Sequence, residues 1–100
     1  MANRDAVAAI RAGTTAWQSY RSQASDHTDL TEANLRWANL PGANLSKVNL
    51  RAANLSGANL AQINLQGADL SGADLTDTSL VRANLTEANL HEANFESPRV

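Results

Sequence analysis

The sequence of 100 residues contains no cysteine, few aromatic residues and no excess of basic residues. Without cysteine, the chain cannot build a disulfide framework, a cysteine-ligated zinc site or thiol chemistry. Eight Lys and Arg against ten Asp and Glu give a formal net charge of −2, unlike the basic balance of a general nucleic-acid binder. From this charge balance we expect no direct contact with nucleic acid. A chain of this length forms one small domain, so we expect no deep catalytic cleft between two lobes.

Long hydrophobic runs are also missing. The sequence holds no stretch of 18 apolar residues, and its start, residues 1–5, has no apolar segment of the kind found in secretory signals. We therefore expect no membrane contact and predict a cytoplasmic protein.

The strongest positive signal is an internal repeat of five residues. Leucine recurs at every fifth position from Leu30 to Leu90, and Phe95 takes the next place. Two residues before each of these lies a small or β-branched residue, usually Ala, and between them lies Asn, Asp or Ser. On a helix this period would spread the leucines around the axis, and on a flat strand successive leucines would alternate between faces. The chain must instead run extended for about three residues, turn over two, and repeat.

Glycine marks where the turns lie. Gly42, Gly57, Gly67 and Gly72 each stand two residues after a leucine. Pro41 before Gly42 is the signature of a type II turn, in which glycine supplies a positive φ. Other repeats carry polar or charged residues at the same place, so we expect a mixture of turn types.

Four such corners close a rectangular coil of twenty residues, and stacked coils pair their sides as parallel strands. Residues 28–97 would then make about three and a half coils. The interior would hold columns of Leu and Ala that leave no room for a ligand. Val48 and Ile63 place bulkier groups in the narrow Ala position, so we predict local bulging or an offset between coils there.

These repeats resemble a known family. The units Ala33–Trp37, Ala58–Gln62 and Ala73–Asp77 are similar to the A-(N/D)-L-x-x motif of the pentapeptide-repeat family, which is abundant in cyanobacteria. The resemblance implies an all-β solenoid, a right-handed quadrilateral parallel β-helix. The predicted fold is this β-helix, of about three and a half coils, with a short N-terminal α-helical cap.

The first 27 residues predict that cap. Asn3 is a candidate N-cap of a first helix, Gly13 a candidate stop, and Thr14 or Thr15 a candidate cap of a second helical turn. Residues 10–21 also resemble, more loosely, a Gly-x-x-x-Trp-x-x-aromatic-Arg leader of some family members. We expect Ile10, Trp17 and Tyr20 to close the first coil. The predicted organisation is a cap and polar linker at 1–27, the β-helix at 28–97 and a tail at 98–100.

The opposite end has no such cover. Glu96 and the four residues after it are too short for a helix and contain a proline. Leu85, Leu90 and Phe95 must then stay partly exposed or meet a partner, because open solenoid ends invite association. A homodimer through the C-terminal coil is therefore a hypothesis.

No pattern in the sequence indicates catalysis. His27 and His91 are well separated, and neither has a second metal ligand at the usual spacing. Phosphate-binding glycine loops and a nucleophile elbow are absent from the sequence. We interpret the repeated Asn and Asp as outward side chains that bond to neighbouring backbone or to each other. We expect no enzyme, no cofactor, no metal and no small-molecule substrate.

The charge is divided along the repeat. Residues 28–68 carry a net charge of +1, and residues 69–97 a net charge of −5. The family resemblance adds one alternative, because some pentapeptide-repeat proteins are thought to imitate DNA and bind DNA gyrase. A stack of this height would need on the order of ten negative charges to match DNA, and this chain has fewer.

Trp37 leaves two interpretations open. It lies at an outward corner, either covered by the N-terminal helices or exposed as an anchor for a partner, because Trp and Arg dominate interface hot spots. The leading functional hypothesis is a non-catalytic protein-interaction or scaffold module with an unidentified protein partner. The DNA mimic, which would bind a topoisomerase through the acidic C-terminal half, is the alternative. The candidate interaction residues are Arg36, Trp37, Asp74, Asp77, Glu92, Phe95 and Glu96.

Overall fold

Two short helices precede a series of stacked turns in this protein. The computed structural model describes residues 2–24 and 27–96. Helix α1 spans Arg4–Arg11 and helix α2 spans Thr14–Arg21. The predicted tail at 98–100 and two residues of the predicted linker, 25–26, lie outside the described residues.

The helix caps agree with the sequence in one case and differ in the other. Asn3 is confirmed as the N-cap of α1, because its Oδ1 accepts the N–H groups of Asp5 at 2.9 Å and Ala6 at 3.2 Å. The prediction of Thr14 or Thr15 as the cap of α2 is wrong, since Gly13 occupies that position with φ 108° and no side-chain cap bond. The Thr14 hydroxyl donates instead to the carbonyl of Pro41 at 3.0 Å. The Thr14 hydroxyl therefore bonds to the repeat region and does not cap α2.

After residue 27 the chain forms parallel β-bridges between residues twenty apart. The bridges recur every five residues from Asp29–Asn49 to Asp74–Asn94, so each turn of twenty residues has four paired sides. In a typical pairing, the Leu35 N–H donates to the Asn54 carbonyl at 2.7 Å and the Asn54 N–H donates to Ala33 at 2.9 Å. In the described part of the chain these pairings are isolated bridges and not longer strands.

Within residues 27–96, the thirteen corners share a positive φ at their second residue. The second corner residue has a positive φ at nine non-glycine positions, from Glu32 at 59° to Glu92 at 61°, and at Gly42, Gly57, Gly67 and Gly72. Each corner is closed by an N–H to carbonyl bond across the turn, such as Ala53 to Leu50 at 3.0 Å. The expectation of mixed turn types is therefore wrong. A positive φ at the third residue of a four-residue turn is the type II pattern. Non-glycine residues rarely adopt this conformation by themselves, and here the stacking of equivalent corners holds them in it.

The outward Asn and Asp side chains stabilise these corners. The Oδ1 of Asn64 accepts the N–H of Gln66 at 3.0 Å, and equivalent bonds recur along the chain. Pro41 has no N–H to give, and there the Oδ1 of Asn39 accepts the side-chain amide of Asn59 at 3.2 Å. The Asn and Asp side chains thus bond to neighbouring backbone or to each other, as the sequence predicts.

The interior consists of the predicted Leu and Ala columns. Core residues from Leu30 to Leu80 are buried, and Val48 and Ile63 are at most 1% exposed. Every bridge keeps its spacing of twenty residues at these two positions, so the register is regular, and local bulging of the coil there stays a prediction. Ile63 lies between Ala43 and Ala83 of the adjoining turns, so its extra volume has small neighbours on both sides.

The two helices lie against the first turn. Ile10 and Trp17 are fully buried, and Tyr20 packs beside Trp17 with ring centroids 5.6 Å apart. Side chains of the helices donate to carbonyls of the first turn: Trp17 Nε1 to Asn44 at 2.7 Å, Arg21 to Asn44 at 2.9 Å and to Ser46 at 2.7 Å, and Arg11 to Asn34 at 2.9 Å. In later turns the equivalent carbonyls accept N–H groups of the preceding turn, as Asn54 does from Leu35, and here side chains of the helices take that place.

Candidate interaction surface

Most of the predicted interaction residues lie on one wall of the stacked turns. We call residues 33–37, 53–57, 73–77 and 93–96 the Trp37 wall. The spacing of twenty residues places Arg36, Trp37, Asp77 and Glu96 along its corner and Asp74 on its bridged side. Glu92 stands just outside the wall, at the corner that directly precedes its bridged side. The structure therefore brings together residues that are far apart in sequence.

Trp37 is the most exposed large apolar side chain of the described residues. It is 69% exposed, and its backbone has a φ of 59°, a region that bulky residues rarely occupy. The Arg36 guanidinium carbon lies 4.4 Å from the centre of its ring, a cation–π distance. The interpretation that the N-terminal helices cover Trp37 is wrong. The buried tryptophan is Trp17, which lies on α2 and packs against the first turn.

Gly57 makes room for the Trp37 ring in the turn below. A Cβ at Gly57 would lie 2.3 Å from Trp37 Cδ1 and 2.5 Å from Nε1, so any side chain there would force the indole to move. The indole thus lies along the wall in direct contact with the neighbouring corner. The spacing of twenty residues predicts that Trp37 and Gly57 are neighbours, but only the structure shows where the ring lies.

The middle of the wall carries an ionised carboxylate held by its neighbours. The Thr76 hydroxyl and backbone N–H both bond to the Asp74 carboxylate, and these bonds lower the pKa of Asp74 below its ordinary value, with a further contribution from the charge of Arg36. Asp29 has the same arrangement with Thr31, which lowers the pKa of Asp29 as well. The Asp74 charge is therefore fixed in place at neutral pH.

The C-terminal end of the wall is acidic. Asp77 and Glu96 are exposed, while Phe95 points toward the interior and is half-buried. Glu92 is exposed and its carboxylate lies 3.0 Å from the adjacent His91 ring. A partner on this wall would meet an aromatic ring and a cation at one end and carboxylates at the other.

One exposed apolar residue was missed by the sequence reasoning. Val81 is 41% exposed and occupies a corner on another side of the stack. Its place in the five-residue register could have identified it, because the first corner position always points outward. Val81 provides a comparison for Trp37 in experiments.

The described residues hold no cluster of three or more His, Asp or Glu side chains that could bind a metal ion. A shallow cleft of about 620 Å³ lies outside the core, between α1 and the first corner, and is lined by Ala2, Arg4, Val7, Ala8, Thr31 and Glu32. In the described part of the chain, no helix is both long and apolar enough to cross a membrane.

Comparison with known proteins gives a family match. The model of the family described as Pentapeptide repeats matches eight copies over residues 28–67 and 63–97. A pentapeptide repeat protein from Nostoc PCC 7120 is 34% identical, with a TM-score of 0.52 and 86% of each chain covered. No curated protein matches.

Two further solved structures are longer than this chain. A pentapeptide repeat protein from the thylakoid lumen of Arabidopsis thaliana is 32% identical over 78% of this chain and 57% of its own, with a TM-score of 0.44. HetL from Nostoc, described as involved in the regulation of heterocyst differentiation, is 32% identical over 73% of this chain and 45% of its own, with a TM-score of 0.39. The chain thus spans about half the length of these two proteins.

Proposed function

Because the chain belongs to the pentapeptide-repeat family, we propose that it is a non-catalytic protein-interaction module whose binding surface is the Trp37 wall. The family's fold is a right-handed quadrilateral β-helix. For this chain we propose the finer arrangement of about three and a half coils, with α1 and α2 as the N-terminal cap. The partner is a protein, and neither a cofactor nor a small-molecule substrate is needed.

The observation that carries the proposal is the exposure of Trp37. A tryptophan that is 69% exposed gains little from burial, and its positive φ adds strain to the backbone. Solubility does not account for it either, since a polar residue would serve better at an outward corner. Trp and Arg side by side are the residue types that dominate binding energy at protein interfaces.

A capture experiment with matched variants tests this proposal. Wild-type protein, Trp37→Ala and Val81→Ala are immobilised and exposed to the same cyanobacterial lysate. We expect at least one protein that wild type and Val81→Ala retain but Trp37→Ala loses, because both substitutions remove an exposed apolar group but only one lies on the wall. The same set of retained proteins for all three baits would contradict the proposal.

The alternative, a DNA mimic that binds DNA gyrase, has weaker support. The carboxylates of the acidic half are distributed over several sides and do not line one face, and Asp69 lies 3.9 Å from the Arg51 side chain. A gyrase supercoiling assay distinguishes the two functions. Inhibition that disappears when Asp77 and Glu96 are changed to Lys would favour the mimic.

A further inference from the structure

The backbone of the Trp37 wall is already paired between its turns. The Asn54 N–H donates to the carbonyl of Ala33 at 2.9 Å, and the Asn54 carbonyl accepts the N–H of Leu35 at 2.7 Å. The N–H of Asp74 donates to the turn before it in the same way, and the carbonyl of Asp74 accepts from Leu55. A partner therefore cannot add a strand to the middle of this wall and must bind to its side chains.

Two side chains of the wall carry donors that no described residue accepts. Within residues 2–24 and 27–96, the Trp37 indole N–H and the side-chain amide of Asn54 have no acceptor. The Oδ1 of Asn54, by contrast, already accepts from Ser56. The buried Trp17 differs from Trp37, because its indole N–H donates to the Asn44 carbonyl at 2.7 Å. A partner that covers Trp37 and Asn54 must supply hydrogen-bond acceptors, since a donor buried without one is costly.

A segment in the polyproline II conformation can supply those acceptors. Its backbone makes no internal hydrogen bonds, so its carbonyls remain free to accept, whereas a helix uses most of its carbonyls internally. Proline adds a rigid apolar ring without an N–H donor, and proline-rich segments dock on exposed aromatic side chains. Trp37 offers such a surface, because most of its side chain stays exposed although Arg36 and Gly57 both contact the ring.

An exposed carboxylate follows Trp37 at the spacing of such a segment. Asp77 occupies the same second corner position forty residues later, and both residues have a φ of 59°. Two turns of the stack measure about 9.5 Å along its axis. Three residues of polyproline II measure about 9.3 Å. A basic residue three positions from a proline on Trp37 would therefore reach Asp77.

The charges around the wall determine where a basic residue can lie. The cations are Arg11, Arg36 and Arg51, which lie on α1 and the first two turns together with Glu32. The carboxylates are Asp74, Asp77, Glu92 and Glu96, which lie on the last two described turns together with His91. Arg51 also lies 3.9 Å from Asp69 of the adjoining side. A basic side chain is thus attracted to the last two described turns and repelled by the first two.

We propose that the Trp37 wall binds a proline-rich segment of its partner in the polyproline II conformation, with a Lys or Arg three residues from the proline that packs on Trp37. The segment runs along the corner, one of its carbonyls accepts the Trp37 indole N–H, and its basic side chain pairs with Asp77. This inference rests on the proposed function, since it names the chemistry of the partner that the wall binds.

Three synthetic peptides of nine residues provide the test. The first is PPPPRPPPP, in which a proline stands three positions from the arginine in either direction. The second replaces the arginine with glutamate, and the third replaces every proline with glycine. Binding is followed by NMR at the Trp37 indole N–H, and the buried Trp17 indole N–H is the internal reference.

The three peptides should differ in affinity. We expect saturable binding of the first peptide, weakened by salt, with a shift of the Trp37 indole signal and none at Trp17. The glutamate peptide should bind at least about fivefold more weakly because its charge is repelled by Asp77. The glycine peptide should also bind at least about fivefold more weakly, because it is not preorganised and has no ring to pack on Trp37.

Matched variants locate the contacts. Trp37→Ala should weaken the first peptide at least about tenfold, read from the Asn54 side-chain amide signal, while Val81→Ala should have no effect. Asp77→Lys should weaken it at least about fivefold. Glu87→Lys is the control and should leave affinity unchanged, because Glu87 is an exposed carboxylate with a φ of 60° at a different corner. The unfolding midpoint of each variant shows whether it is folded.

Three results would overturn the proposal. They are the absence of saturable binding of the first peptide, equal binding of the glutamate or glycine peptide, and an equal loss of affinity in Asp77→Lys and Glu87→Lys. If lysate capture still yields a protein whose retention depends on Trp37, the proposed function stands and the wall recognises a different chemistry. If neither the peptide nor any lysate protein depends on Trp37, both proposals are wrong.

Discussion

Asn54 and Asp74 occupy the same place in successive turns, and each uses a side-chain oxygen to accept the N–H of the residue two further along, Ser56 or Thr76, at 3.0 Å. The hydroxyls of Ser56 and Thr76 bond to the same oxygens. A short polar side chain that reaches its own backbone is what favours Asn and Asp at turns. At the residue scale, the Asn or Asp of each repeat therefore stabilises the corner and also supplies the polar outer surface.

Substitution of Gly57 should move the Trp37 ring. Gly57→Ala places a Cβ against the indole, and Gly42→Ala is its matched control, because the two glycines have φ near 70° but a Cβ at Gly42 meets nothing within 4 Å. Both variants should lose about 1 kcal/mol from the strained backbone. Only Gly57→Ala should shift the NMR signal of the Trp37 indole N–H. Identical indole spectra for the two variants would refute the contact.

The carboxylate of Asp74 gives a prediction about pH. Because its pKa in the folded protein is lowered from 3.8, the stability it provides is complete above that value and is lost as the pH falls through the folded pKa. Thr76→Val removes the hydroxyl bond, so the Asp74 pKa should rise toward 3.8, and the loss of stability that Asp74 contributes on acidification should become smaller and be complete at a higher pH.

The measurement is an NMR titration of the Asp74 carboxyl carbon. Thr86→Val is the control, because Thr86 follows the uncharged Asn84 in the equivalent place. An unchanged Asp74 titration in Thr76→Val would show that the hydroxyl is not the main cause.

At the scale of elements, side chains of the two helices donate hydrogen bonds to carbonyls of the first turn. Helix α2 is only eight residues long, and helices of this length are not stable alone in water. Its packing of Trp17 and its bonds from Arg21 therefore hold it in place. The helix and the first turn are expected to unfold together.

Arg21→Ala should destabilise the protein by roughly 1.5–3 kcal/mol, because two carbonyls of the first turn, Asn44 and Ser46, lose a charged donor. Arg4→Ala also removes one positive charge from the helices, but Arg4 is an exposed residue at the start of α1 and should change stability by less than about 0.5 kcal/mol. Urea unfolding measures both. Equal losses would mean that the net charge, and not the bonds of Arg21, determines the effect.

At the scale of the whole molecule, burial decreases toward the C-terminal end. Leu50 is fully buried between turns, whereas Leu85 and Leu90 are half-buried on the last turn. Solenoid stability is approximately a sum of contacts between neighbouring turns. Within residues 27–96 the last turn has such a neighbour on one side only, so it should open more readily than the other turns described.

Leu50→Ala should cost about 2–5 kcal/mol, and Leu90→Ala less than half as much. The physical reason is that a cavity forms around Leu50, while the Leu90 site already borders solvent. Chemical unfolding of both variants tests the gradient, and similar losses at the two sites would contradict it.

Much of the fold followed from the sequence. The period of five excluded helix and flat strand, and the same register placed Leu and Ala inside and Asn outside. The family match over residues 28–97 then confirmed the repeat. The corners were predicted less well, because intrinsic preference favours glycine at positive φ, whereas the bonds between stacked turns hold Glu32 or Gln62 in the same conformation.

The sequence predicts which residues of the candidate surface align in one column, but it does not predict the contacts of their side chains. Arithmetic on the period of twenty aligns Trp37 with Gly57 and Asp77. Whether the ring would lie under the helices or over the glycine depended on the path of residues 2–24, which local sequence does not fix. The bonds from the helices to the first turn, such as Thr14 to Pro41, are long-range and have no signature in the sequence.

The sequence by itself determined the repeat, the inward and outward faces, and the division of charge along the stack, because these depend only on residue type at a fixed period. Only the tertiary structure decided the uniform corners, the exposure of Trp37 and the side-chain donors that bond to carbonyls of the first turn. These features depend on which backbone groups meet a neighbour in space, and that is settled when the turns stack.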